Sequence, residues 1–203
     1  MYKLVKSRLH GMILASLFAA LMGIGANITS LLPFFVIAGV PITFQPVVSL
    51  LAGTLLGKKY GPLAMTIYLF IGLAGIPVFA RFSGGIGSIL NPTFGFLLAF
   101  IFVAWVAGVV TEKSKSFKML LFASFIGTVI VYIIGTNWMY LAYSFWFNAP
   151  EGFSYKMAWT IMMVPLPKDI ALSVLSAMIS YKVLRAFPTK TESNSTIKNE
   201  VIG

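Results

Sequence analysis

Cysteine is absent from these 203 residues, and five acidic residues stand against 15 Lys and Arg. Without cysteine there is no disulfide, no thiolate nucleophile and no thiolate metal site. A single histidine, His10, excludes a metal site built from several imidazoles. Charged residues of both signs make up only 10% of the chain, where a soluble domain has about a quarter. Such a chain could not cover its own surface with polar groups. What is there instead is apolar: 59% of residues are hydrophobic and the mean hydropathy is +0.93. The composition therefore reads as an all-α integral membrane protein and argues against a disordered chain, a soluble enzyme or a nucleic-acid binder. The net charge of +10 sits in short basic clusters between apolar runs, as cytoplasmic loops of membrane proteins distribute it.

The runs predict six transmembrane helices. The first spans about 9–28 after a basic N-terminus, too long for a signal peptide's apolar core. The second covers 46–57, starting nearer Pro41 if longer, and ends at Lys58 and Lys59. The third covers 60–76, the fourth 92–111 and the fifth 119–143. The sixth begins near Pro167 and ends over 182–187. A short stretch, 155–165, is too short to cross and predicts an interfacial or cavity-covering helix. Residues 1–187 thus form one transmembrane domain, and 188–203 are a polar tail with the composition of disorder. With six spans both termini share a side. That side holds every Lys and Arg except Arg81, Lys156 and Lys168, which places both termini in the cytoplasm.

The three outer connections are long, apolar and rich in Gly and Pro. They also hold the unusual polar residues Thr43, Gln45, Arg81, Asn91, Thr93, Lys168 and Asp169. Long ordered loops usually carry function, so a ligand pocket roofed by outer loops is expected. Asp169 is the chain's single Asp. It reads equally as a helix N-terminal carboxylate favoured by the macrodipole or as a ligand acceptor. Arg81 reads equally as an interfacial anchor or a ligand cation. Gly84 and Gly85 let backbone approach a ligand or simply turn the chain. Ala15, Ala19 and Gly23, four residues apart, form a smooth stripe that suits packing inside a bundle or against an external helix. Gly53 to Lys59 resembles a phosphate loop, but the glycine spacing is one short and no Ser or Thr follows the lysine. Neither a His-Glu-x-x-His zinc motif nor a Gly-x-Ser-x-Gly elbow is present.

The run from Pro41 through Thr43 to Gln45 resembles the signature of BioY proteins, the biotin-binding S components of energy-coupling factor (ECF) transporters. Tyr68 to Ala80 with Gly84-Gly85, then Leu90-Asn91-Pro92-Thr93-Phe94-Gly95-Phe96, then Pro165-Leu-Pro167-Lys168-Asp169 continue the resemblance in the family's order. The sequence departs from the family where Lys168 replaces a common Gly, where Leu172 stands in place of a Lys three positions after the Asp, and where Asn91 replaces a Gly. The resemblance implies an S-component bundle that captures biotin from outside with high affinity. It implies no cofactor, no catalysis and no nucleic acid. Asp169 would accept from the ureido N–H groups, with Thr43, Gln45 and Asn91 as further polar partners. Lys168 or Arg81 would neutralise the carboxylate, while Phe79, Trp138 and Tyr140 would wall the apolar ring. Tyr68, Gly84 and Gly85 belong to the same motifs. Delivery across the cell membrane would need a transmembrane coupling subunit and two ATPases, and the resemblance implies that Ala15, Ala19 and Gly23 dock on the former. An S component for another vitamin, or a membrane enzyme using Asp169 and Lys168, are the alternative readings.

Overall fold

The computed structural model describes residues 5, 7–28, 36–37, 40–41 and 43–186. The expected tail, 188–203, lies outside them. Six helices account for most of the chain: α1 (Arg8–Asn27), α2 (Gln45–Leu73), α3 (Phe94–Lys113), α4 (Phe117–Phe145), α5 (Tyr155–Met163) and α6 (Leu166–Ala186). Between α1 and α2 a two-residue ladder pairs β1 (Val36–Ile37) antiparallel with β2 (Val40–Pro41). Between α2 and α3 lie two 3-10 turns, Ala80–Phe82 and Ile86–Leu90.

The expected second and third helices are the two halves of α2. Gly57 separates them at φ 81, ψ 177, a conformation essentially confined to glycine. The halves fold back on each other there. A methyl group at Gly61 would lie 2.8 Å from the Gly53 Cα, and Gln45 at one end reaches Tyr68 near the other. α3 packs just as closely against this hairpin. A methyl at Gly108 would fall 2.3 Å from the Lys58 backbone nitrogen, and one at Gly53 2.3 Å from the Ala104 carbonyl oxygen. Small residues permit this approach where lipid supplies no hydrophobic drive between helices.

Serine caps open three helices. Ser7, Ser116 and Ser154 accept from the backbone N–H of His10, Met119 and Met157, each satisfying one donor left free in the first turn. α6 packs against α4 and α2 and adds paired hydroxyls to the contact. Thr54 and Ser180 Oγ atoms lie 2.8 Å apart, and those of Thr128 and Ser173 2.6 Å.

The alanine stripe of α1 turns inward. Ala15 is fully enclosed and Ala19 is 4% exposed, both within the main core. A methyl at Gly23 would sit 3.5 Å from the Val78 side chain. The stripe therefore packs inside the bundle, which corrects the expectation that it faces a partner. The outward face of α1 carries Leu17, Leu21 and Ile24, and α3 and α4 likewise expose Phe102, Trp105, Val129 and Ile133. An apolar exterior of this kind suits lipid rather than water. Three described helices, α1, α3 and α4, are long and apolar enough to cross a bilayer. A fourth span results if α5 and α6, bent by 54°, count as one.

Candidate functional site

Chain direction gathers one end of the bundle around a cavity of about 230 Å³. The start of α2 contributes Gln45 and Pro46, and the loop after α2 contributes Phe79, Ala80, Arg81 and Ser83. Ser88, Asn91 and Thr93 lead into α3, which adds Phe94, Phe96, Leu97 and Phe100. Val131 and Tyr132 come from α4, Met162 from α5, and Pro165, Lys168 and Asp169 from the start of α6. Thr43 completes the wall. The Gly57 turn, with its Lys58–Glu112 ion pair at 2.9 Å, occupies the opposite end.

The polar groups are few and fixed. Asp169 has a side chain 12% exposed, with Oδ1 2.6 Å from Lys168 Nζ. Its Oδ2 accepts from Tyr132 Oη at 2.9 Å. Oδ1 is buried, and although the ammonium lies close it accepts no well-directed hydrogen bond. One carboxylate oxygen on the cavity wall thus retains acceptor capacity, which is costly to bury unused. Gln45 is buried, and its Nε2 donates to Tyr68 Oη at 3.0 Å. Tyr68 in turn donates to the Val78 carbonyl at 3.1 Å. The Asn91 side-chain oxygen accepts from both the N–H and the hydroxyl of Thr93, an Asx turn that leads the chain into α3.

Of the residues singled out from the sequence, Thr43, Gln45, Phe79, Arg81, Asn91, Lys168 and Asp169 meet around this one cavity. Tyr68 stands behind the wall, holding Gln45 and meeting Phe79 edge to face at 5.5 Å. Gly84 and Gly85 shape the loop instead of lining the cavity. A methyl at Gly84 would lie 2.5 Å from the Ile76 carbonyl oxygen. Gly85, at φ 92, donates its N–H to Gly72 O at 2.7 Å. Trp138 sits outside Phe94, ring centroids 5.5 Å apart, and its indole N–H donates to the Asn91 carbonyl. Trp146 does the same to the Leu90 carbonyl at 2.7 Å. Tyr140 belongs to a separate aromatic cluster with Phe153 and Tyr155. Trp138 and Tyr140 therefore buttress the surroundings and do not wall the cavity, because α4 turns Val131 and Tyr132 toward it.

Sequence reasoning missed Tyr132, Phe100 and Met162. Each lies within an apolar helical run, where nothing separates a cavity-lining side chain from a core one. Tyr132 carries the only hint, a phenolic hydroxyl in mid-helix that needs a partner when buried.

Comparison with known proteins identifies the family and the fold. The BioY family profile matches residues 1–189. The BioYB protein of Bacillus subtilis strain 168 is 43% identical over 191 residues, covering 93% of this chain and 94% of that one. The biotin transporter BioY of Thermotoga maritima is 40% identical over 124 residues, 61% of this chain and 70% of that one. The crystal structure of an S-component for biotin from an ECF-type ABC transporter shares the fold. Its TM-score is 0.71 at 24% identity, over 88% of this chain and 92% of that one. With the matching region running from the first residue through the whole helical bundle, the chain belongs to the BioY family.

Proposed function

We propose that this chain is the biotin-binding S component of an ECF-type transporter in the cell membrane. The observation that carries the reading is the cavity itself. A carboxylate with unused acceptor capacity, two cations, the buried amide of Gln45 and the exposed one of Asn91 converge on a space walled by Phe79, Phe94 and Phe100. A mostly apolar pocket with a few placed polar groups is the usual design for a small ligand. Biotin offers two ureido N–H donors, a carbonyl acceptor, an apolar thioether ring and a carboxylate tail. Asp169 Oδ1 suits the ureido N–H groups, while Gln45, Thr43 and Asn91 supply further polar partners. Lys168 pairs with Asp169 at the ureido end, and Arg81, on the cavity-lining loop after α2, is the cation we assign to the tail.

The helix pattern supports six spans, with α2 contributing two and α6 the last. The basic residues Lys58, Lys113, Lys115 and Lys118 lie at the end away from the cavity, which under the positive-inside rule supports an outward-facing cavity and cytoplasmic termini. The loops 79–83 and 86–93 then form the outer roof. Residues matching a nucleotide-binding loop are lacking, so energy for release inward is assigned to a transmembrane coupling subunit and two ATPases. A membrane-enzyme reading fares worse, since among the described residues no second carboxylate stands beside Asp169 on the cavity wall. Titration calorimetry on purified protein tests the proposal. One saturable site per chain for biotin is expected. Heat with riboflavin or thiamine but none with biotin would reject it.

A further inference from the structure

Asn27 ends α1 with a side chain only 7% exposed, and every polar atom of that side chain is engaged. Its Nδ2 donates to Gly23 O in its own helix at 3.0 Å and to Val78 O at 3.1 Å. Its Oδ1 accepts from the Phe82 N–H at 2.7 Å. The last two bonds leave α1 and grip the loop that follows α2. There Arg81 and Phe82 hold φ values of 62° and 53°. Two consecutive side-chain-bearing residues in the left-handed region are unfavourable, and persist only where their surroundings hold them. Phe79 and Ser83 close the base of the loop by exchanging backbone hydrogen bonds at 3.0 and 3.3 Å. The apex needs a further restraint, and Asn27 supplies it at Phe82. Four residues of this loop, Phe79, Ala80, Arg81 and Ser83, line the cavity, whereas Asn27 does not.

We propose that Asn27 is a positioning residue that fixes the left-handed Arg81–Phe82 turn against α1, and so sets the cavity's preference for a ligand with an anionic tail. The proposal rests on reading the cavity as a biotin site with Arg81 at the carboxylate. Its chemical reason is direct. Released from Asn27, Phe82 relaxes to negative φ, the apex swings, and the guanidinium leaves its place, while Asp169 at the ureido end keeps its hold from α6 and Tyr132.

The test compares equilibrium binding of biotin and biotin methyl ester, which lacks the charge but keeps the rings. The purified full chain is used as wild type, Asn27→Leu, Arg81→Gln and Asn27→Leu/Phe82→Gly. Wild type is expected to favour biotin. Asn27→Leu should weaken biotin about tenfold and the ester less than twofold, matching Arg81→Gln. The added glycine, which takes positive φ freely, should restore part of the lost preference. Equal weakening of both ligands, unchanged affinity for both, or no recovery in the double variant would each overturn the proposal. Should Asn27→Leu not fold, Asn27→Ser, too short to reach Phe82, carries the same expectation. Wild type that binds neither ligand would instead overturn the biotin reading, before any variant is made.

Discussion

Asp169 reaches the cavity with one oxygen held by Tyr132 and the other facing Lys168 without a well-formed hydrogen bond. A charged hydrogen bond to a ligand is worth about 1.5–3 kcal/mol. Asp169→Asn is therefore expected to weaken biotin by roughly 1–3 kcal/mol, measured by calorimetry on protein that still folds. Unchanged affinity would return Asp169 to a helix-dipole role. Tyr132→Phe should cost about 1 kcal/mol of biotin affinity, and much less in the Asp169→Asn background, since the hydroxyl acts through the carboxylate. Equal losses in both backgrounds would show that the two side chains act separately. The two members of this pair were not equally legible. Asp169 stands out in the sequence as the chain's single Asp, set between prolines and an apolar run. Tyr132 is one of eight tyrosines, and only the turn of α4 brings it to face α6.

Helices α1, α3 and α4 follow from apolar run length, and their observed bounds fall close to the expected ones. The fold-back inside α2 was also legible, because Gly57-Lys58-Lys59 interrupts the run with a breaker and two charges. Its geometry yields a prediction. Gly57→Ala would force a side chain into a region it avoids, costing about 1–3 kcal/mol, visible as a lower melting temperature in detergent. No change in melting would show that the turn relaxes freely. The alanine stripe was legible as a stripe but not in direction. Four-residue spacing says that small residues share a face, and cannot say whether that face meets its own bundle or another protein. Because Ala15 and Ala19 are enclosed, Ala15→Trp is expected to destabilise the chain itself by overpacking, about 1–3 kcal/mol or more. Normal folding and biotin binding of Ala15→Trp would restore the outward assignment. Trp138 was expected as a ligand wall, yet it holds the carbonyl of Asn91, as Trp146 just beyond α4 holds that of Leu90. Trp146→Phe should speed biotin dissociation about fivefold, from loss of one hydrogen bond, in a stopped-flow chase. An unchanged rate would leave the indole as packing alone.

At the scale of the whole molecule, absence of cysteine permits a clean test of orientation. Single cysteines at Glu151 and Lys115 bracket the bundle. An impermeant maleimide should label Glu151→Cys in intact cells and Lys115→Cys only after permeabilisation; the reverse pattern would invert the topology. The hydroxyls along α6 carry a different consequence. Ser173, Ser176 and Ser180 are buried, and α6 reaches the apolarity of a span only jointly with α5. Presented alone to hydrocarbon, its serines would lack cross-helix partners. Thr54 and Thr128, which bond Ser180 and Ser173, lie on helices that leave the ribosome earlier. Translation order then becomes part of the design: α6 is expected to be a weak substrate for insertion on its own, admitted to the membrane by a polar seam that its predecessors have already laid down.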